Sequence, residues 1–440
     1  MIRKRIISSI SGNISVQATN VIVQVFGIPL MIKYWGMAYY GEWLILFSIP
    51  SYIAISDLGL GTSTTAELSM LTEQGKRSEA NEVLRSVFWF IVAIGGIPFY
   101  LLLTSVFIFP WHDWLGLNVV SASEFNLTFI LLILYIFLAL FLTLPLGYYR
   151  VEKAYHVERY ISAFFKLLEF ILVVVFVMMG YKVLCVATIY FSVRLANFIF
   201  VIFDLYRRFP HFKLFPFSIG YKKMKYLLKP ALTIMTISMG QNFMVQGMTT
   251  LIGLYLGSTQ VVVFNTSRVL VNMTKQVVGI VNLSFFSEFS YAFGKRDIPL
   301  LRNLFQKTQL INFGLSVGAL GFIFLAKGLI MYYWLGGKVE IVEPFFILLL
   351  VGALININWN VPLTLIGATN KQENIGVYFI CASLLAVLFN VLFLRHYGLQ
   401  VVSISILIFE TIMFGISCKY AAKILQLNFR GYYRLLTSYD

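Results

Sequence analysis

Long apolar runs alternate with short polar stretches along the whole chain. The pattern predicts helical membrane spans at residues 9–34, 40–66, 84–109, 125–149, 159–180, 183–206, 227–256, 259–289, 300–333, 341–367, 373–394 and 399–422. Each run supplies the roughly 20 apolar residues that a helix needs to cross about 30 Å of hydrocarbon. The predicted fold class is therefore all-α, a polytopic membrane protein with twelve transmembrane helices.

A basic loop with two prolines, residues 207–226, lies at the midpoint of these spans. It divides the chain into an N-terminal six-helix lobe (1–208), a cytoplasmic linker (209–226), a C-terminal six-helix lobe (227–424) and a cytoplasmic tail (425–440). If the polar faces of both lobes converge, they enclose a central hydrated cavity.

One span carries a polar stripe that a lipid-facing helix would not tolerate. Asn265, Arg268, Asn272, Lys275 and Asn282 follow one another at steps of 3, 4, 3 and 7 residues, so they share a helical face. A charge at the bilayer centre costs about 2.5–3.5 kcal/mol on insertion scales. The two cations therefore need a water-filled cavity or an anionic partner.

Further polar stripes occur in the spans near residues 9–34, 159–206 and 227–256. Their members are Asn13, Gln17, Asn20, Gln24, Lys166, Glu169, Tyr190, Arg194, Asn197, Asn242 and Gln246. Two interpretations of the amides stay open, because such groups either line a cavity or link helices at about 0.6 kcal/mol each. Charged groups inside a span point to function, although Lys166 could also snorkel or pair with Glu169.

Glu410 is the most deeply placed acid of the predicted spans. It is a candidate for ion coupling, as is Glu169, or it is the counter-ion of a cavity arginine. The sequence leaves open whether the coupling ion is H+ or Na+.

Composition and charge agree with a membrane protein. The 440 residues are 59% hydrophobic and only 12% charged, against about 25% charged in soluble domains. The net charge of +15 is concentrated in the loops on one side, and the positive-inside rule places those loops and both termini in the cytoplasm. The charge therefore reflects topology and predicts no nucleic-acid partner.

Signs of enzymatic chemistry are lacking in the sequence. The three cysteines and four histidines are scattered without metal-ligand spacing, and no phosphate-binding loop or hydrolase motif occurs. We expect no enzyme, no metal and no cofactor.

The beginning of the chain resembles a known family. Over residues 10–66 the shared features are Asn13 and Asn20, Pro29-Leu30 before Gly36, the Tyr40-Gly41-Glu42-Trp43 turn, and Asp57-Leu58-Gly59-Leu60-Gly61. This segment resembles bacterial polysaccharide flippases of the Wzx type, within the multidrug/oligosaccharidyl-lipid/polysaccharide exporter superfamily.

The resemblance implies alternating access and an undecaprenyl-pyrophosphate-linked oligosaccharide as cargo, moved from the cytoplasmic to the outer leaflet of the inner membrane. It also implies O-antigen or another surface polysaccharide as the product, with polysaccharide polymerase machinery as a candidate partner. In this interpretation Arg194, Arg268, Lys275 and Lys166 meet the pyrophosphate, the amides bond sugar hydroxyls, and Tyr190 stacks on a sugar.

Three alternatives compete with this interpretation. A multidrug or organic-ion exporter of the same superfamily would need acids in the cavity, whereas the deep charges here are mostly basic. A polysaccharide polymerase, which is an enzyme, would need a large outer loop, and the predicted outer loops are short. A lipid II flippase is close in function, but such proteins often have more than twelve spans.

Overall fold

Helices form the framework of the computed structural model, which describes residues 2–52, 60–214, 235–369, 371 and 375–437. No strand occurs in these ranges. Helices satisfy their own backbone hydrogen bonds, as a chain in hydrocarbon must. The helices are Ile2–Ser48 (α1), Leu60–Glu73 (α2), Arg77–Ile108 (α3), Trp111–Trp114 (α4), Ala122–Val151 (α5), Tyr155–Met178 (α6), Val183–Arg208 (α7), 235–256 (α8), Ser258–Gly294 (α9), Ile298–Leu335 (α10), Glu343–Ala368 (α11), Ile375–Tyr397 (α12), Gln400–Ile424 (α13) and Phe429–Thr437 (α14).

Ten helices of the described residues are long and apolar enough to cross a membrane. The first, Ser11–Tyr52, includes the predicted span 9–34 and the start of the predicted span 40–66. Gly36 divides it, since its φ of 76° and ψ of 169° interrupt the helix. Of the predicted span 227–256, residues 235–256 are helical, with a π-helical turn at Phe243–Gly247, and residues 227–234 lie outside the described residues.

The chain divides into two compact units, Met1–Ser238 with Gly257–Thr259 and Met239–Leu256 with Gln260–Asp440. We call them the N lobe and the C lobe. In the N lobe α1 packs along α6, α5 packs along α7, and α2 and α3 pack against each other and α5. In the C lobe α13 packs along α11 and α12, α10 lies against α11, and α8 contacts α12. The predicted linker 209–226 stays a prediction, because residues 215–234 are outside the described ranges.

A buried carboxylate ties α1 to the loop that precedes α5. Glu42, only 1% exposed, accepts backbone hydrogen bonds from Asn118 (2.7 Å), Val119 (2.8 Å) and Val120 (2.7 Å). Three donors satisfy the carboxylate that burial would otherwise penalise. The turn predicted at Tyr40-Gly41-Glu42-Trp43 is wrong, because these residues belong to the helix α1, and Glu42 has a structural role in the N lobe.

Candidate functional site

The N lobe holds Arg194 of α7 against an aromatic ring of α5. Its Nη2 donates a hydrogen bond of 2.5 Å to the Tyr135 hydroxyl, and its guanidinium carbon lies 4.5 Å from the Tyr135 ring centroid. A hydrogen bond and a cation–π contact to one residue fix the cation in a single orientation.

A cavity of about 240 Å³ opens beside this arginine. Charged and polar side chains from three helices line it, namely Tyr135, Ser162, Lys166, Glu169, Arg194 and Asn197. Asn197 is only 5% exposed, and its Oδ1 accepts no hydrogen bond from the described residues. The predicted polar faces of α6 and α7 thus meet in one cavity within the N lobe.

The polar stripe of α1 faces α6. Lys166 Nζ donates to Asn20 Oδ1 at 2.6 Å, and the Tyr155 hydroxyl donates to Asn13 Oδ1 at 2.9 Å. Lys166 therefore reaches across to α1 for its hydrogen bond, while Glu169, predicted as its ion-pair partner, lines the cavity beside Arg194. Gln17 and Gln24 lie on the same helix, exposed and half-buried respectively.

Tyr190 lies in an aromatic cluster of the N lobe. Its ring stacks on Trp43 with centroids 5.6 Å apart and meets Tyr135 edge to face at 5.2 Å. Part of the aromatic surface that sequence reasoning offered to a sugar is therefore packed against neighbouring rings.

The C lobe has a second polar cluster, centred on Glu410 of α13. The carboxylate is 4% exposed, and its Oε2 accepts from Trp359 Nε1 at 2.6 Å and from Asn356 Nδ2 at 2.9 Å. Its Oε1 lies 3.9 Å from Lys275 Nζ, at the limit of an ion pair. The counter-ion of Glu410 is thus a lysine, where the sequence suggested an arginine.

A cavity of about 230 Å³ lies next to Lys275. Lys275, Gly279 and Asn282 line it from α9, and Asn356, Asn360 and Thr364 from α11. The Lys275 ammonium donates no hydrogen bond to the described residues, and its side chain is 27% exposed. A cation with unused donors thus faces a cavity lined by amides and a hydroxyl.

The other members of the α9 stripe have different surroundings. Arg268 donates to Asn265 Oδ1 at 2.9 Å and lies over the Phe264 ring, while Asn282 accepts from Asn312 of α10 at 2.6 Å. Asn272, half-buried, lies between them on α9. Asn242 and Gln246, also half-buried, belong to α8 at its π-helical turn.

Sequence reasoning missed two residues that position these charges. Tyr135 lies in an otherwise apolar part of α5 and gave no signal. Trp359 is flanked by Asn358 and Asn360, and this polar setting inside a span was the sign that could have found it.

The N-lobe cluster combines two basic side chains, Lys166 and Arg194, with one carboxylate, Glu169. In the C lobe Lys275 faces Glu410, while Arg268 lies further along the same stripe of α9 and bonds Asn265. When these groups carry their ordinary charges, the N-lobe cluster has one positive charge in excess, whereas Lys275 and Glu410 balance each other in the C lobe. Basic side chains that border a cavity favour anion binding, since arginine and lysine donors match phosphate and carboxylate oxygens.

Solved structures that this chain resembles in fold include transporters of one superfamily. The chain matches an inward-facing multidrug resistance MATE family transporter of the MOP superfamily with a TM-score of 0.73 at 16% identity, covering 97% of this chain and 99% of that one. An outward-facing form of such a transporter matches with a TM-score of 0.65 at 16% identity, covering 95% of each chain. A MOP superfamily transporter from Pyrococcus furiosus, described as having a binding pocket of reverse polarity, matches with a TM-score of 0.59 at 16% identity, covering 96% and 94%.

No protein-family model and no curated protein matches the chain. At 16% identity the structural matches show the fold alone. They confirm the predicted all-helical architecture with two lobes.

Proposed function

We propose that this protein flips an undecaprenyl-pyrophosphate-linked oligosaccharide from the cytoplasmic to the outer leaflet of a bacterial inner membrane by alternating access. Its termini lie in the cytoplasm, and the cargo serves O-antigen or another surface polysaccharide. The observation that carries the proposal is that basic side chains border a cavity in each lobe, Lys166 and Arg194 in the N lobe and Lys275 in the C lobe.

Charge complementarity supports this cargo. A pyrophosphate diester carries two negative charges, and the N-lobe cluster has one cation more than its carboxylate. Arg194 is held by Tyr135, so its guanidinium is already oriented and loses little freedom on binding. Amides such as Asn20, Asn272 and Asn360 supply donors and acceptors for sugar hydroxyls.

The carboxylates offer a route to ion coupling. Glu410 competes with an anionic cargo for Lys275, because both would bind the same ammonium. A proton or Na+ that neutralises Glu410 would leave Lys275 free for the cargo, and loss of that ion would favour cargo release. In the N lobe Glu169 likewise competes with an anionic cargo for Arg194 and Lys166.

The second candidate is export of drugs or organic ions. Two of the matched structures are described as multidrug resistance transporters, and each cluster contains a carboxylate that could meet a cation. The surplus of basic groups weighs against a cationic cargo, since like charges in a buried site repel strongly.

The test is genetic, in the bacterium from which the chain comes. The gene is deleted, and lipid-linked repeat units on the inner leaflet and polymer at the cell surface are quantified. Rescue is attempted with wild type, Arg194→Gln, Lys275→Met and the exposed control Lys307→Met, each at matched membrane abundance. In the deletion strain we expect inner-leaflet units to accumulate and surface polymer to fall. Wild type and Lys307→Met should restore the polymer. Arg194→Gln and Lys275→Met should restore at most about a tenth of the wild-type amount, because each loses one charge-assisted hydrogen bond to the cargo.

Other outcomes would contradict the proposal. Unchanged polymer together with raised drug sensitivity in the deletion strain would favour the exporter. Full rescue by both cluster variants would leave the cationic clusters without a role in cargo binding.

A further inference from the structure

The cavity beside Lys275 has the size of a single sugar ring. Its volume of about 230 Å³ is below the roughly 300–1,000 Å³ of pockets for drug-sized ligands. It is also several times the ~30 Å³ that one water molecule occupies in the liquid. A monosaccharide-sized group fits between these limits.

Unused hydrogen-bonding groups face this cavity. Lys275 Nζ donates no hydrogen bond to the described residues and only approaches Glu410, at 3.9 Å. Asn360 Nδ2 donates hydrogen bonds to the backbone oxygen and to Oδ1 of Asn356. The Oδ1 of Asn360 accepts no hydrogen bond from the described residues. A ligand with both hydroxyls and a negative charge satisfies this set, since hydroxyls donate to amide oxygens and an anion accepts from the ammonium.

The floor of the cavity is open at Gly279. A Cβ placed there would meet no heavy atom within 4 Å. Because Gly279 lines the cavity, a residue with a side chain at this position adds volume at the cavity wall, and its Cβ has open space.

We propose that this C-lobe cavity is a binding site for one anionic sugar residue of the cargo. Lys275 binds the negative group, and Asn360, Asn356 and Thr364 of α11 bind the ring hydroxyls. The inference rests on the proposed function, because it specifies which part of the lipid-linked oligosaccharide the C lobe recognises. Its charge comes either from the phosphate on the first sugar or from a uronic acid within the repeat unit.

The test measures equilibrium binding of free sugars to the full-length protein in lipid nanodiscs, by saturation-transfer NMR titration. The probes are glucose 1-phosphate, glucuronate, glucose and inorganic phosphate. We expect at least one anionic sugar to bind about tenfold more tightly than glucose and inorganic phosphate, the difference of one charge-assisted hydrogen bond. Selective binding of glucose 1-phosphate assigns the site to the first sugar, and selective binding of glucuronate assigns it to a uronic acid.

Two variants probe the site by different means. Lys275→Met removes the charge, and Gly279→Leu fills the cavity while leaving Lys275 and Glu410 in place. Both should weaken binding of the anionic sugar about tenfold or more. Lys307→Met and Gly314→Leu are matched controls on α10, since Lys307 is exposed and a Cβ at Gly314 also meets nothing within 4 Å, and they should bind as wild type does.

Three results would overturn the site. These are equal affinity for glucose and both anionic sugars, inorganic phosphate binding as tightly as the anionic sugar that binds best, and unchanged binding of that sugar in Gly279→Leu. Binding of free sugars needs no flipping, so selective binding by a protein whose deletion leaves surface polymer intact would retain the site and refute the flippase.

Discussion

One phenol hydroxyl orients the half-buried guanidinium of the N lobe. Tyr135 contacts Arg194 both through its oxygen and through its ring face. The ring face attracts the guanidinium in any rotation of the cation above it, whereas the hydroxyl accepts a hydrogen bond from one guanidinium nitrogen only. These two contributions can be separated by removing the oxygen alone.

Tyr135→Phe should therefore lower the free energy of unfolding by about 1.5–3 kcal/mol, the range for a hydrogen bond to a charged group. The ring contact remains, so the variant should still reach the membrane but rescue polymer export less well than wild type. Thermal unfolding in detergent measures the first effect, with Tyr100→Phe on a 64% exposed side chain as control. Equal stability of both variants would refute the orienting role.

His112 gives the loop between α3 and α5 a dependence on pH. The hydrogen bond to Asp113 (2.9 Å) raises the pKa of His112, burial opposes the rise, and the Val120 carbonyl at 2.8 Å adds to it. Because the folded pKa exceeds the unfolded one, the stabilisation is complete below about pH 6.5, the ordinary histidine value, and disappears as pH rises through the raised pKa.

Backbone hydrogen exchange of residues 110–121 should accordingly speed up as pH rises from 6 to 8, beyond the intrinsic acceleration of exchange. In His112→Gln the corrected rates should not vary with pH, since no imidazolium forms. If the wild-type exchange rate, corrected for intrinsic exchange, does not change with pH, then protonation of His112 does not stabilise this loop.

At the scale of elements, a single residue determines where the first helix bends. Gly36 adopts φ 76° and ψ 169°, a region of backbone space that is essentially restricted to glycine. The two predicted spans on either side of it are otherwise continuous helix from Ile2 to Ser48.

Gly36→Ala should destabilise the protein by about 1–3 kcal/mol because alanine is strained in that conformation. Gly96→Ala is the matched control, since Gly96 lies inside α3 with open space around its Cα and alanine favours helix there. Thermal unfolding of both variants in detergent gives the comparison. If Gly36→Ala loses no more stability than Gly96→Ala, the bend of α1 does not lie at Gly36.

The interhelical amides have two roles that the sequence could not separate. Gln309 Nε2 donates to Asn358 Oδ1 at 3.0 Å, and Asn390 Nδ2 donates to Ser405 Oγ at 2.5 Å, so these amides link helices. Asn282 bonds Asn312 and also lines the C-lobe cavity. Cavity lining and helix linking thus coexist on one side chain.

At the scale of the whole molecule, the asymmetry of basic residues predicts the topology. The loops rich in lysine and arginine should lie in the cytoplasm. Single cysteines at Gln74 and Val119, which are exposed, test both sides after the three native cysteines are replaced by alanine.

A membrane-impermeant maleimide should label Val119→Cys in intact spheroplasted cells and label Gln74→Cys only after lysis. Labelling before and after lysis is quantified on the purified protein, with a permeant maleimide to confirm that each thiol reacts. The reverse pattern would invert the topology and the direction of transport that we propose.

The sequence by itself determined the class of molecule, the helices and the polar stripes. Hydrocarbon leaves a chain of this hydropathy no alternative to helices, and the period of the helix places Arg268 and Lys275 on one face. The break at Gly36 falls between the predicted spans 9–34 and 40–66. The beginning of α3 at Arg77 differs from the predicted boundary at residue 84, because helices extend past the apolar core.

Only the tertiary structure decided which charges meet. Glu410 is 135 residues from Lys275 in the sequence, and no local period predicts that pair or the Trp359 donor that holds the carboxylate. The same is true of Tyr135 and Arg194 in the N lobe. Contacts between distant helices depend on how the helices pack, and side-chain periodicity within each helix carries no information about its neighbours.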